Sequence, residues 1–190
     1  SKAVTLSPLD GQSAFGLAMA EARLESLYPH FHLDDSDNPY HPLPYFQQAI
    51  RLRPNSISYH YTLARYFYRQ RKNEALQKTV RKLTSIYPSI YGRLKKEAFW
   101  SPAILEEVKK GIMQAIEQGN EPGKAHSILA GILEREKDWD GAISHLGEVM
   151  AYGIDPDRQK DYFNRLGHLF LENGQPQEAK EAFIEALNRS

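Results

Sequence analysis

The stretch FNRLGHLFLENGQPQEAKEAFIEAL, residues 163–187, decides the fold. Its first half places the pair Leu166-Gly167 three residues before Phe170, and its second half carries a stripe with spacings of four and three. That second stripe consists of Ala179, Phe183 and Ala186. Such spacings keep side chains on one face of a helix, and an Asn-Gly pair such as Asn173-Gly174 is a turn signal. The stretch predicts two helices joined by a tight turn.

The same pattern occurs twice more, nearer the N-terminus. SILAGILEREKDWDGAISHLGEV, residues 127–149, carries the pair Leu129-Ala130, and YTLARYFYRQRKNEALQKTVRKLTSIYP, residues 61–88, carries Leu63-Ala64. From Leu63 to Leu129 is 66 residues, and from Leu129 to Leu166 is 37. These separations fit two repeats and one repeat of about 34 residues.

This pattern resembles the tetratricopeptide repeat, a helix-turn-helix unit that stacks into a right-handed superhelix. The resemblance implies an all-α fold, a right-handed α-solenoid in which the whole chain, residues 1–190, is a single domain. The degenerate third unit is expected to keep two helices, over about residues 90–99 and 102–118. The predicted segments are a repeat tail at 1–10, a repeat at 11–56 with an inserted loop at about 28–43, a repeat at 57–90, the degenerate repeat at 91–122, and repeats at 123–159 and 160–190.

The first residues match the closing part of a repeat. Ala3 precedes Pro8 by five residues, as Ala49 precedes Pro54. We therefore expect residues 1–10 to end a repeat whose body lies upstream, and the chain to be a piece of a longer protein.

The inserted loop contains the polar stretch YPHFHLDDSDNPYH, residues 28–41, with three histidines and three aspartates. A calcium loop would need a glycine after Asp37 and a glutamate where Phe46 stands. The spacing does not suit zinc either. We therefore predict no metal site and no cofactor, and a solvated loop attached by its apolar side chains, although a metal-dependent loop is an alternative.

The charge distribution and the missing motifs limit the function. The net charge is zero, but residues 51–110 carry +10, residues 1–50 carry −4 and residues 111–190 carry −6. Cysteine is absent, which excludes disulfides and thiol chemistry. The sequence has no glycine-rich phosphate loop, no G-x-S-x-G and no H-E-x-x-H, so no enzymatic activity is predicted.

The resemblance also implies where a partner would bind, because the first helix of each such repeat lines a concave groove. Tyrosine and arginine are frequent at binding hot spots, and arginine can clamp carboxylates or phosphates. The alternative is that these arginines are solvated and these tyrosines pack against neighbouring repeats. The predicted partner-binding residues are Phe15, Met19, Tyr61, Arg65, Tyr68, Arg69, Lys95 and Phe99.

The function predicted from these features is a non-catalytic scaffold that binds a partner protein or peptide. The alternative is a soluble accessory domain of a bacterial O-antigen ligase or polymerase-like membrane protein in polysaccharide assembly, since such proteins often end in similar repeat arrays. Nucleic-acid binding through the basic middle is weaker, because its aromatic and basic residues follow the repeat pattern. No specific nucleic acid is therefore predicted as a partner.

The apolar content and the repeat ends bear on the compartment and the oligomeric state. No apolar run approaches the roughly 18 residues of a membrane span. The predicted location is cytoplasmic or periplasmic, with the envelope favoured if the parent protein is membrane-bound. Exposed repeat ends could also stack into a homo-oligomer.

Overall fold

The computed structural model describes residues 10–27 and 41–189, and within them the chain is helical without strands. The prediction of an all-α helical-repeat fold is confirmed. A short 3-10 turn at Pro88–Ile90 precedes the short helix Tyr91–Leu94. The helices are α1 (Gly11–Leu27), α2 (Pro42–Leu52), α3 (Ile57–Arg69), α4 (Asn73–Ile86), α5 (Tyr91–Leu94), α6 (Pro102–Glu117), α7 (Pro122–Glu136), α8 (Trp139–Ala151), α9 (Pro156–Glu172) and α10 (Pro176–Leu187).

The helices pack mainly against their neighbours in sequence. The strongest pairs are α1 with α2, α3 with α4, α7 with α8 and α9 with α10, and α6 packs on α4 as closely as these pairs do. Fewer contacts join α6 to α7 and α8 to α9. Each unit therefore depends chiefly on adjacent units, as in repeat proteins. The boundaries of the repeats stay a prediction.

Three of the turns between paired helices close in the same way. In each, a backbone N–H donates to the carbonyl five residues earlier, the closure that ends many helices with a left-handed residue. Arg71, Lys137 and Gly174 take that position, with φ of 55°, 62° and 74°. The closing hydrogen bonds run from Lys72 to Phe67 (2.9 Å), from Asp138 to Leu133 (3.0 Å) and from Gln175 to Phe170 (2.8 Å). The turns thus recur at the spacing of the leucine pairs in the sequence.

The predicted helix over residues 90–99 is wrong in length. Only α5 is α-helical there, and residues 95–99 form turns. Leu94 and Phe99 are both buried, but in a continuous helix side chains five residues apart would point to different sides. Because the helix ends after Leu94, both Leu94 and Phe99 can be buried.

Because α5 is a single turn, α6 reaches α4 directly. A Cβ added to Gly111 of α6 would lie 1.9 Å from the Thr84 hydroxyl oxygen and 2.5 Å from the Arg81 carbonyl of α4. Arg81 also donates to the buried Glu107 carboxylate at 2.5 Å. Desolvation raises the pKa of Glu107, but hydrogen bonds from Lys110 and Arg81 outweigh it and leave that pKa below its ordinary value.

The buried residues form one large core and smaller ones. The large core extends from Ala18 of α1 to Ile132 of α7, and a smaller core joins α7, α8 and α9 around Leu146 and Tyr162. The Tyr162 hydroxyl donates to the Leu146 carbonyl at 2.6 Å. Among the residues described, none of the helices combines the length and apolar character needed to cross a bilayer. The predicted repeat tail, apart from Asp10, and residues 28–40 of the inserted loop lie outside the described residues.

Candidate partner-binding surface

One side of α3 faces the segment that follows α5. Tyr61, Arg65 and Tyr68 recur on this side at spacings of four and three, as the helical repeat requires. The rings of Tyr68 and Phe99 meet edge to face with their centroids 5.6 Å apart. Arg65 Nε lies 3.7 Å from Glu97 Oε2. The structure therefore brings four of the predicted residues, Tyr61, Arg65, Tyr68 and Phe99, onto one surface.

The members of this surface differ in exposure. Tyr61 and Phe99 are 6% and 5% exposed, so they support the surface from below. Tyr68 is 41% exposed, and the Arg65 side chain is 60% exposed. Tyr68 and Arg65 are therefore the side chains that a partner could contact.

Tyr61 is held by groups on both sides. Its hydroxyl donates to Glu97 Oε1, and the Arg93 guanidinium lies 3.9 Å from the centroid of its ring. Burial and the hydrogen bond to the Glu97 carboxylate raise the pKa of the Tyr61 hydroxyl. Glu97 thus links Tyr61 and Arg65, and Arg93 adds a cation–π contact. These contacts hold Tyr61 and Glu97 in place, while the Arg65 side chain stays exposed.

A pocket of ≈ 180 Å³ opens beside Tyr68, where α3 meets the starts of α4 and α6. Its lining includes the apolar residues Leu76 and Ile104 and the polar residues Asn73 and Gln77. Such a mixture of an apolar floor and a few polar groups is typical of binding pockets. The pocket has room for a single apolar side chain. Its lining consists of Tyr68, Asn73, Leu76, Gln77, Phe99, Ser101, Ala103 and Ile104.

The surface continues past α5 toward α7 and α9. Lys95 Nζ lies 4.9 Å from the centroid of the Tyr91 ring, and Arg135 of α7 donates to the Tyr91 hydroxyl. Beyond them, Arg165 of α9 donates to Glu134 of α7 at 2.7 Å. The predicted residue Lys95 therefore belongs to a neighbouring aromatic and basic cluster, and α7 and α9 add paired charges.

The remaining predicted residues lie elsewhere. Phe15 is half-buried and stacks on Tyr59, with ring centroids 4.3 Å apart, so it belongs to the packing between α1 and α3. Met19 of α1 is 44% exposed and lines a separate shallow depression together with Arg23 and Arg69. These residues therefore lie outside the surface formed by Tyr61, Arg65, Tyr68 and Phe99.

The prediction from sequence missed several residues of the surface. Arg93 and Glu97 come from the degenerate unit, which has no leucine–small pair to set the register. Arg93 lies in α5 and Glu97 in the turns that follow it, so no helical spacing relates the two residues. Asn73 and Gln77 come from the second helix of a pair, whereas the prediction considered first helices. In residues 10–27 and 41–189 no three histidine, aspartate or glutamate side chains form a group able to hold a metal ion.

The pair formed by α9 and α10 matches a known family model. Residues 161–190 match the family model described as tetratricopeptide repeat. The chain contains a tetratricopeptide repeat. Repeats of this family indicate a protein–protein interaction scaffold, and they are generally not catalytic. None of the curated protein sequences is significantly similar to this chain.

Two solved structures resemble the chain weakly. "Crystal structure of MamA protein" is 13% identical with a TM-score of 0.46, covering 93% of this chain and 91% of that one. "MamA 41-end from Desulfovibrio magneticus RS-1" is also 13% identical, with a TM-score of 0.41, covering 91% of this chain and 94% of that one. At these scores, nothing about binding or activity transfers to this chain.

Proposed function

We propose that this chain is a non-catalytic scaffold that binds a protein or peptide partner on the α3 surface. The α3 surface is defined by Arg65, Tyr68, Asn73, Gln77 and Phe99. The observation that carries the proposal is the pocket lined by Tyr68 and Phe99, together with the exposed Arg65, which lies three residues before Tyr68 on α3. It offers an apolar anchor site and a charged group side by side.

Burial and aromatic contact would supply the affinity. Filling an apolar pocket with one aliphatic or aromatic side chain contributes about 1.5–3 kcal/mol. Tyr68 is suited to this role, because an exposed tyrosine offers a large rigid surface and a hydroxyl group. The Asn73 and Gln77 amides would hydrogen-bond to the partner backbone next to the anchor side chain.

Charge favours an acidic partner segment. Residues 51–110 carry a net charge of +10, and the exposed Arg65, Arg69 and Arg71 follow one another along α3 and its turn. Like charges on one surface steer an oppositely charged partner toward it and raise the association rate. The partner segment would therefore carry an apolar anchor residue near carboxylates.

Photo-crosslinking tests the location of the site. A photoreactive phenylalanine analogue placed at Gln77 is expected to crosslink partner proteins in cells, and Tyr68→Ala in the same chain should abolish those crosslinks. The matched control carries the analogue at Lys180, an exposed position on α10. Equal crosslinks from both positions, or crosslinks that survive Tyr68→Ala, would refute the proposal.

The same basic region favours one alternative function. In a soluble accessory domain of an O-antigen ligase or polymerase-like membrane protein, the arginines would bind an anionic glycan. Titration of the chain with an anionic polysaccharide separates the two proposals. Saturable binding lost in Arg65→Ala supports the glycan, and no binding leaves the protein partner.

A further inference from the structure

A second pocket opens where α8 meets α9. Its volume of ≈ 380 Å³ lies within the range of about 300–1,000 Å³ that is usual for ligand pockets. The apolar part of its lining consists of Leu146 and Val149 of α8, Ile154 of the following loop and Tyr162 of α9. We call it the α9 pocket. It is larger than the pocket beside Tyr68 and is likewise lined by a tyrosine.

Contacts among three helices hold the lining of the α9 pocket in place. Tyr162 is buried, and its hydroxyl donates to the Leu146 carbonyl at 2.6 Å, which joins α9 to α8. Arg165, which also lines the pocket, donates from Nε and Nη2 to Glu134 of α7 at 3.1 and 2.7 Å. The pocket is thus preformed, so the binding of a ligand there costs little ordering of the chain.

The lining of the α9 pocket also includes two exposed residues of opposite charge, Arg158 and Asp161. Unlike Arg165, neither forms an ion pair or a side-chain hydrogen bond with another residue that the structure describes. They are three residues apart on α9, so they share one side of the helix. An arginine beside an aspartate complements a peptide group, because the arginine donates to its carbonyl and the aspartate accepts from its N–H.

The charge around the α9 pocket differs from the charge around the α3 surface. Residues 111–190, which form this pocket, carry a net charge of −6, whereas residues 51–110 carry +10. Carboxylates of a partner are therefore attracted to the α3 surface and not to the α9 pocket. An apolar side chain that enters the α9 pocket would thus be flanked by neutral or basic residues of the partner.

We propose that the α9 pocket binds a second apolar side chain of the partner segment, with Arg158 and Asp161 holding the peptide group next to it. The inference rests on the proposed function and extends it, since it requires a partner with two apolar anchor residues. The first anchor lies among carboxylates and binds at the α3 surface, and the second lies outside them. Two linked contacts bind more tightly than either alone, because the second one forms within the same complex.

Titration with a capped amino acid tests the α9 pocket without a partner. N-acetylphenylalanine amide offers one apolar side chain between two peptide groups. Its addition should shift the NMR signals of the methyl groups of Leu146, Val149 and Ile154, which line the pocket, whereas N-acetylglycine amide should not. No shifts, or equal shifts with both compounds, would overturn the proposal. Tighter binding of free phenylalanine than of its capped form would also overturn it, because the site would then be one for a free amino acid.

Substitutions of the two charged residues locate the binding. Arg158→Gln and Asp161→Asn should each weaken the binding of N-acetylphenylalanine amide, because each removes a charged partner of the peptide group. Both residues are exposed, so the fold should be retained. The matched controls Lys160→Gln and Asp157→Asn change exposed residues of α9 that do not line the pocket, and they should leave binding unchanged. Equal affinity of all four variants would contradict the proposal.

The partner captured by the photoreactive analogue at Gln77 separates the second anchor from the proposed function. Arg158→Gln combined with Asp161→Asn should weaken the affinity of the chain for this partner roughly five-fold, the effect of losing about one hydrogen bond, while the crosslinks at Gln77 persist. Unchanged affinity would overturn the second anchor and leave the α3 surface as the binding site. The absence of any crosslinked partner at Gln77 would refute both.

Discussion

Gly111 of α6 lies so close to Thr84 of α4 that an added Cβ would be 1.9 Å from the Thr84 hydroxyl oxygen. The Arg81 carbonyl would lie 2.5 Å from the same Cβ, and this backbone atom cannot rotate away. The two helices therefore meet with no room for a side chain between them.

Gly111→Ala should consequently destabilise the chain by about 1–3 kcal/mol, the usual cost of overpacking a filled core. Urea unfolding followed by circular dichroism measures it. The matched control is Gly147→Ala on α8, where no atom of the described residues lies within 4 Å of the added Cβ. Gly147→Ala should stabilise the chain by up to about 1 kcal/mol, because alanine has a higher helix propensity than glycine. Similar unfolding midpoints for the two variants would contradict the close contact.

Two substitutions at left-handed turn residues should change the stability of the chain in opposite directions. Lys137 has φ of 62°, a conformation that costs a residue with a side chain about 1 kcal/mol relative to glycine. Lys137→Gly should therefore stabilise the chain, and Gly174→Ala, where φ is 74°, should destabilise it by a similar amount. The same unfolding assay gives both values. Stability changes of the same sign would argue against the shared turn geometry.

Arg65→Ala should weaken partner binding while changing the stability of the chain only slightly. Its ion pair with Glu97 spans 3.7 Å and its side chain is 60% exposed, so Arg65→Ala should cost less than about 1 kcal/mol in unfolding free energy. Partner binding should nevertheless weaken, because the variant removes an exposed cation from the α3 surface. The unfolding midpoint and the partner affinity of one preparation check both parts. A large stability loss would mean that the residue is structural.

Three buried or half-buried histidines should make the free energy of unfolding depend on pH. Burial lowers the pKa of His60, His126 and His145 from the ordinary value of 6.5, and the Pro54 carbonyl opposes this only partly at His60. Below pH 6.5 the unfolded chain therefore binds more protons than the folded chain. The stabilisation is complete above that pH and is lost as the pH falls toward the folded-state values.

Urea unfolding at about pH 7.5 and about pH 5.5 measures this loss. Few carboxylates titrate in this interval, so the histidines dominate the change. His145→Gln should reduce the pH dependence. A flat unfolding free energy between these pH values would contradict neutral, buried histidines.

The helical repeats could be predicted because short-range signals agree. In the stretch 163–187, the Asn173-Gly174 turn, the small Gly167 and the spacing of the apolar residues all indicate the same hairpin. Gly167 contributes by letting Phe183 approach, since an added Cβ would lie 2.7 Å from its ring. Such local signals can be recognised in the sequence without knowing what the hairpin packs against.

The shortened α5 and the contact between His126 and His145 could not be predicted in the same way. Phe99 is buried beside Tyr68, 31 positions earlier, so its burial depends on long-range packing. His126 and His145 meet only because α7 and α8 pair across a turn. Neither contact leaves a periodic signal in its own segment. The prediction placed Tyr61, Arg65 and Tyr68 of α3 on the candidate surface, and it identified Phe99 of the degenerate unit but not Arg93 and Glu97.

The measurement that tests the α3 surface most directly is the dissociation constant of a captured partner for three forms of the chain. The unmodified chain and Ile184→Ala, an exposed change on α10, should bind alike. Arg65→Ala combined with Tyr68→Ala should weaken binding by roughly 2 kcal/mol or more, the threshold of a hot spot. Equal affinity of all three folded forms would contradict partner binding on the α3 surface.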